Sequence, residues 1–362
     1  MKLGIVGLPN AGKSTLFNAI MQTGATASNY PFSTVSPNVG RVPVPDNRLN
    51  KLHEIYKAKQ IVPTAIEMVD IAGLVKGASR GEGLGNQFLS FIREVDALVH
   101  VVRCFEDENV AHVYDSINPV RDAEAVNLEL VLADLELVER RIERVSKLAR
   151  TDKSYKREEE ILLLIKETLE DGKPARSLKW DEAEDIKIVE SIALITAKPV
   201  LYAANVSEDN IKNPQGILNE FMDFAAKENA KVFISCAKLE AEVAELDPEE
   251  KELFLKEAGL SENGLARLIT AGYELLGLIS FLTGGPKEVR AWTIRRGLKA
   301  PQAAGKIHSD LERGFIRAEV VAYDDLIASG TYNNAKDKGL VRIEGKEYEI
   351  KDGDVVLVRF NV

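Results

Sequence analysis

The eight residues Gly7-Leu8-Pro9-Asn10-Ala11-Gly12-Lys13-Ser14 constrain this chain more than any other feature. They fit G-x-x-x-x-G-K-[ST], follow the short apolar run Leu3–Val6 and open an apolar stretch from Thr15 to Met21. Strand, glycine loop and helix in that order is the setting in which backbone N–H groups turn inward around phosphate oxygens. The helix N-terminus adds a favourable dipole. The pattern predicts that Lys13 contacts the β- and γ-phosphates, that the Ser14 hydroxyl ligates Mg²⁺, and that Thr15 binds the α-phosphate. Lys2 ahead of Leu3–Val6 mimics a secretory signal, but the apolar run is too short for one.

The loop also implies a fold class. Ala65–Asp70, Ala97–Val102, Pro199–Ala203 and Lys231–Ser235 are continuously apolar runs that predict buried parallel strands. Leu84–Glu94, Gln215–Asn229 and Leu265–Leu276 carry helical patterns. Alternation of the two predicts an α/β parallel sheet with helices on both faces. With 362 residues the chain exceeds one core of about 150, so two or three domains are expected.

Asn127–Thr196 breaks the rhythm, with no strand candidate. Leu128, Leu132, Leu135, Val138, Ile142 and Val145 form one narrow stripe; Ile161, Ile165 and Leu169 begin another, which Ile186, Val189 and Ile192 continue after Gly172-Lys173-Pro174. Two long helices in a projecting hairpin are expected, a helix pair lying on the sheet being the alternative. The last 85 or so residues change again. Val289–Ile294, Ile316–Val321, Gly339–Glu344 and Val355–Phe360 predict strands, with one short helix around Ala300–Leu311. That is a small, separate α+β domain.

Asp70-Ile71-Ala72-Gly73 ends the strand Ala65–Asp70, where a carboxylate can hold the magnesium shell and a glycine N–H can sense the γ-phosphate. Between this and the phosphate loop, Tyr30-Pro31-Phe32-Ser33-Thr34 offers Thr34 as a second hydroxyl ligand for Mg²⁺. Five glycines within Gly73–Gly85 predict a segment that a γ-phosphate orders and hydrolysis releases. Two elements depart from Ras-type GTPases. Leu74 occupies the position of the water-orienting glutamine. After Val200–Ala203, Asn205-Val206-Ser207-Glu208 replaces N-K-x-D, so the short carboxylate that grips guanine is missing. Adenine lacks the donors that need it; its N6 amino group is served by a displaced acceptor or a backbone carbonyl. An ordinary turn would also accommodate Asn205–Glu208. Ser235-Cys236-Ala237 ends the next strand, where a second base-contacting loop belongs.

These residues resemble the YchF family, Obg-like ATPases of the Obg branch of translation-factor-related P-loop NTPases. The resemblance runs through Gly7–Ser14, Tyr30–Thr34, Asp70–Phe88, Val102–Phe105 and the N-x-x-E base motif, and spans essentially the whole chain. It implies a Ras-like, Obg-type P-loop domain over 1–277, a coiled-coil arm inserted at 127–196, and a C-terminal TGS domain of β-grasp fold over 278–362. It implies ATP accepted or preferred over GTP, a hydrophobic residue in place of the catalytic glutamine, and association with ribosomes. Asn10, Ala11, Gly12, Lys13, Ser14, Thr15 and the Val206 backbone become the ATP contacts, with Ser14 and Thr34 at magnesium.

Two further candidates come from the residues. Asn10 can help ligate a monovalent cation such as K⁺ beside the β–γ bridge, or simply cap the loop. His112, ending the segment Glu106–His112, is the candidate to orient water where Leu74 has no hydrogen-bonding group, or else a solvated loop histidine. Lys13, Gly73 and His112 are thus the expected catalytic residues.

The net charge of −10 hides a split. Residues 140–157 carry eight basic against two acidic residues, and 287–317 eight against three, with Trp292 and Phe315 interleaved. Everything else sums to −21. Two basic patches on separate appendages predict contact with a phosphate backbone, ribosomal RNA above all, through the arm tip and the TGS domain. Two cysteines and no long apolar run predict a reduced, cytoplasmic protein that does not span a membrane, expected as a monomer. The reading is a slow ATP hydrolase whose nucleotide state controls ribosome docking. The alternatives are an Obg-type GTPase and a nucleotide-gated RNA-binding protein with incidental hydrolysis.

Overall fold

The computed structural model describes residues 1–22, 26–28, 37–71, 85–212, 216–257 and 264–361. Thr34, Gly73, Leu74 and most of the glycine-rich segment lie outside the described residues. The chain divides into two compact units: Met1–Val42 with Glu67–Leu265, and Pro43–Ile66 with Ala266–Val362.

Along the chain run β1 (Lys2–Val6), α1 (Lys13–Gln22), β2 (Thr26–Ser28), β3 (Asn38–Pro43), α2 (Arg48–Tyr56), β4 (Gln60–Val62), β5 (Ala65–Asp70), α3 (Gly85–Glu94) and β6 (Ala97–Arg103). Then come α4 (Pro119–Ala149), α5 (Lys156–Glu170), α6 (Ala183–Ile192), β7 (Val200–Asn205), α7 (Glu208–Lys212), α8 (Ile217–Lys227), β8 (Lys231–Ser235), α9 (Ala237–Glu245), α10 (Pro248–Glu257) and α11 (Gly264–Leu275). The chain ends with β9 (Leu278–Gly284), β10 (Glu288–Arg295), α12 (Ala300–Ile307), α13 (Ser309–Arg313), β11 (Phe315–Ala322), α14 (Tyr323–Ser329), α15 (Tyr332–Asp337), β12 (Arg342–Glu344) and β13 (Asp354–Phe360).

The first unit is built on a seven-stranded sheet in the order β2-β3-β5-β1-β6-β7-β8. From β5 to β8 the pairings are parallel. The continuous apolar runs mark strands covered on both faces: β6 and β7 are buried at every position. The carboxyl ends of β5, β1, β6, β7 and β8 therefore open on one edge of the sheet, where α/β folds place ligands.

The inserted region starts earlier and is divided more finely than expected. α4 is one helix of 31 residues, beginning at Pro119 behind an Asn118 cap. The returning leg is α5, a 3₁₀ turn at Ala175–Ser177, and α6. The stripe read from sequence is corrected as well. Leu128, Leu132 and Ile186 are exposed, while Val131, Val138 and Val145 are buried against Ile161, Ile165 and Leu169. The cause is that α4 serves two cores. Its first half packs Ala123, Val126, Leu130 and Ala133 on the sheet, and its second half packs on α5. Neither alternative describes the whole of α4: its first half lies on the sheet and its second half pairs with α5.

The second unit carries a six-stranded mixed sheet, β12-β11-β13-β9-β10-β4. The sequence placed residues 43–66 with the nucleotide domain, whereas in the structure they belong here. β4 pairs in parallel with β10, and Leu49 and Leu52 of α2 are buried with Leu282, Val289 and Val355. The single expected helix is two, α12 and α13, because His308 breaks the first and caps the second. Phe315 lies in the core and Trp292 packs on Phe281, so neither serves as an exposed stacking platform among the basic residues.

Candidate nucleotide-binding site

The phosphate loop joins β1 to α1, and its shape is fixed from two sides. Gly12 has φ +96°, and a Cβ there would lie 2.2 Å from Asn205 Nδ2, so only glycine fits. The first intrahelical bond runs from Leu16 N–H to Gly12 C=O at 3.0 Å. The N–H groups of Lys13, Ser14 and Thr15 precede it, so they have no helical acceptor and suit anionic oxygens.

Lys13 is buried and donates from Nζ to Leu8 C=O at 2.7 Å. Burial pulls its ammonium down to about 8, against the attraction of the Asp70 carboxylate. Ser14 Oγ lies 3.5 Å from Asp70 Oδ2. Asp70 Oδ1 is buried with no hydrogen-bond partner, and burial holds this carboxyl above the usual range. An orphaned carboxylate oxygen beside a hydroxyl suits a hard divalent cation that takes oxygen ligands. Among the described residues, no cluster of three or more His, Cys, Asp or Glu side chains stands ready to hold a metal ion.

Asn205 is the clamp of the base side. Its Nδ2 donates to Ala11 C=O and its Oδ1 accepts from Ala237 N–H, each at 2.9 Å. One buried amide thus ties the phosphate loop to the loop after β8. Val206 N–H donates to Ser235 C=O at 2.9 Å, and the Val206 side chain is buried. Glu208 is exposed at the head of α7. Ser235 and Ala237 are buried, and burial raises the thiol of the equally buried Cys236. The structure therefore gathers Asn205, Val206, Ser235, Cys236 and Ala237 around the phosphate loop.

Asn10 donates from Nδ2 to Ala111 C=O at 3.1 Å, bringing the segment after β6 onto the phosphate loop. His112 follows immediately, and it is not a solvated loop residue. Its Nδ1 accepts from Tyr114 N–H at 3.1 Å, which leaves the proton on Nε2, donated to Asp122 Oδ2 at 2.8 Å. In this arrangement both ring nitrogens have protein partners. The roles of two organising residues are not legible in the sequence. Buried Arg103 donates to the carbonyls of Phe105, Asp107 and Val110 at 2.9–3.2 Å, which shapes the segment. Asp122 receives His112. The signal for Arg103 was an arginine closing an otherwise apolar strand; Asp122, in the first turn of a helix, gave none.

The basic patches divide into used and free charges. On the arm, Arg140, Arg141 and Arg157 pair with Glu136, Glu158 and Asp185. Arg144, Lys147, Arg150, Lys153 and Lys156 are exposed and without an ion pair among the described residues. In the second unit Arg290, Lys299 and Arg313 are paired.

Comparison with known proteins agrees with this geometry. A family model described as "50S ribosome-binding GTPase" matches residues 2–134, and YchF-GTPase_C, described as "Protein of unknown function (DUF933)", matches 278–361. The chain is 59% identical to the "Ribosome-binding ATPase YchF" of Bacillus subtilis over 99% of each chain. It is 52% identical to the protein of the same name from Haemophilus influenzae, over 100% of this chain and 99% of that one. Among solved structures, the Schizosaccharomyces pombe YchF GTPase superposes with a TM-score of 0.88 at 37% identity, covering 99% of this chain and 97% of that one.

Proposed function

We infer the function from one premise: the chain belongs to the YchF family. It is an ATP-hydrolysing, ribosome-binding protein built on a P-loop GTPase-like domain. Relatives are named both ATPase and GTPase, and the observation that carries the ATP reading is the base loop. Val206 occupies the lysine position of N-K-x-D, and the longer Glu208 stands exposed where a short aspartate would grip guanine. The guanine donors lack their acceptor, and an unpaired donor in a site is a costly mismatch. The Val206 carbonyl is the acceptor for the adenine amino group in this reading. Calorimetry with ATP, GTP and their non-hydrolysable analogues tests it: ATP is expected to bind tighter, and GTP binding tighter by about tenfold would reverse the choice.

The residue roles follow from that reading. Lys13 and the N–H groups opening α1 hold the β- and γ-phosphates, and the Asn205 clamp keeps the two loops in register. Ser14 and Asp70, with Thr34, would hold Mg²⁺, which would supply charge neutralisation to the phosphates. Gly73 senses the γ-phosphate. Asn10 Oδ1 is the donor for K⁺, tested by comparing turnover in potassium and sodium buffers; equal rates refute it. With Leu74 apolar, His112 orients the attacking water once Nε2 leaves Asp122. His112→Ala is expected to abolish turnover while sparing binding, and intact turnover refutes the role. Residues 278–362 form a TGS module which, with the arm tip, contacts ribosomal RNA from a cytoplasmic monomer. No helix among the described residues is long and apolar enough to cross a membrane.

A further inference from the structure

The strongest unassigned feature lies at the root of α4. Two adjacent residues of the segment after β6 are held from opposite directions. Ala111 is bound through its carbonyl to Asn10 of the phosphate loop, and His112 is bound through its ring to Asp122 of α4. The second bond is enclosed, with the His112 and Asp122 side chains only 6% and 4% exposed. Asp122 is itself fixed. Its Oδ1 accepts from Arg121 Nε and Nη2 at 3.1 and 2.8 Å, and its N–H donates to Asn118 C=O. His112 cannot turn from this site without giving up one bond. The bond to Tyr114 N–H is local and travels with the segment, so the bond to Asp122 is the one that must break.

We propose that Asp122 restrains His112, so that the arm helix sets how often the water-orienting histidine reaches the nucleotide. The proposal rests on the reading of His112 given above. A neutral imidazole N–H donated to a buried carboxylate is a charge-assisted bond, strong enough to bias the ring about ten- to a hundredfold toward the held state. α4 is one unbroken helix of 31 residues, Pro119–Ala149, about 45 Å long, with Asp122 in its first turn and the basic tip at its far end. Asp122 lies in the half of α4 that is seated on the sheet, so the arm meets His112 through the residue at its root. Asp122 is accordingly a positioning residue that touches no nucleotide.

Steady-state ATPase assays on the full chain test this with Asp122→Ala, Asp122→Asn, His112→Ala and the Asp122→Ala/His112→Ala double variant. Asp122→Ala is expected to raise kcat by about tenfold with little change in KM. Asp122→Asn keeps an acceptor oxygen without its charge, so an intermediate rise is expected; it also decides the matter if the alanine variant fails to fold. In the His112→Ala background the Asp122 change is expected to do nothing. A kcat that falls or stays level in both Asp122 variants, while His112→Ala is inactive, overturns the restraint but leaves His112 in its role. If His112→Ala retains full turnover, the reading beneath the proposal fails, and the proposal with it.

Discussion

Lys13 must be charged to hold phosphates, yet burial lowers its pKa from 10.5 to about 8. Raising the pH should therefore weaken ATP binding long before an ordinary lysine would respond. With a pKa near 8, Lys13 is about nine-tenths protonated near pH 7 and about one-tenth protonated near pH 9, so affinity should fall by about tenfold. A lysine at 10.5 would lose only a few per cent of its charge over that range. The titration of ATP itself has the opposite sign, since a more charged phosphate binds better. Calorimetry with a non-hydrolysable ATP analogue and saturating Mg²⁺, from about pH 7 to about pH 9, reads the effect. Stability has its own sign. Between about 8 and 10.5 the unfolded chain holds this proton more tightly than the folded one, so stability rises with pH, by up to about 3 kcal/mol, and the penalty is in full force below about 8. A flat affinity, or one that improves toward pH 9, refutes the claim that burial tunes Lys13.

Other expected outcomes rest on single side chains. Asn205→Ala orphans the Ala11 carbonyl and the Ala237 N–H, costing about 2–4 kcal/mol in thermal unfolding and at least about tenfold in ATP affinity; a loss under about 0.5 kcal/mol removes the clamp. Gly12→Ala drives a methyl into Asn205 Nδ2, so nucleotide binding is expected to vanish by calorimetry while the chain stays folded by circular dichroism. Asp134, fully buried on α4, accepts from Ile195 N–H, Thr196 N–H and Thr196 Oγ1; Asp134→Ala is expected to cost about 3 kcal/mol in urea unfolding. Arg140→Ala, at an exposed pair, is expected to cost under about 1 kcal/mol.

The local parts of this molecule were legible in its sequence. Ala65–Asp70 and Lys231–Ser235 are strands with the expected ends, because a buried parallel strand is an apolar run bounded by polar residues. The phosphate loop was legible for the same reason: its chemistry sits in eight contiguous residues. Long-range relations were not. Nothing near Gln60 announces that β4 pairs with Glu288 in β10, 228 residues away. β9 was missed because Leu278–Gly284 continues the apolar character of α11. The stripe on α4 was misread because a helix with two partners rotates its buried face along its length. Arg103 and Asp122 follow the same logic, since each acts on carbonyls or a ring that only the fold brings near.

Nucleotide state is expected to govern ribosome docking through the basic appendages. Co-sedimentation of the full chain with ribosomes, in a non-hydrolysable ATP analogue and in ADP at two salt concentrations, tests it most directly. The fraction pelleted is expected to differ between nucleotides. The five free arm-tip cations alone are expected to contribute a log–log salt slope of about −4. Equal pelleting in both nucleotides, with no dependence on salt, would show that neither the nucleotide nor the basic appendages control docking.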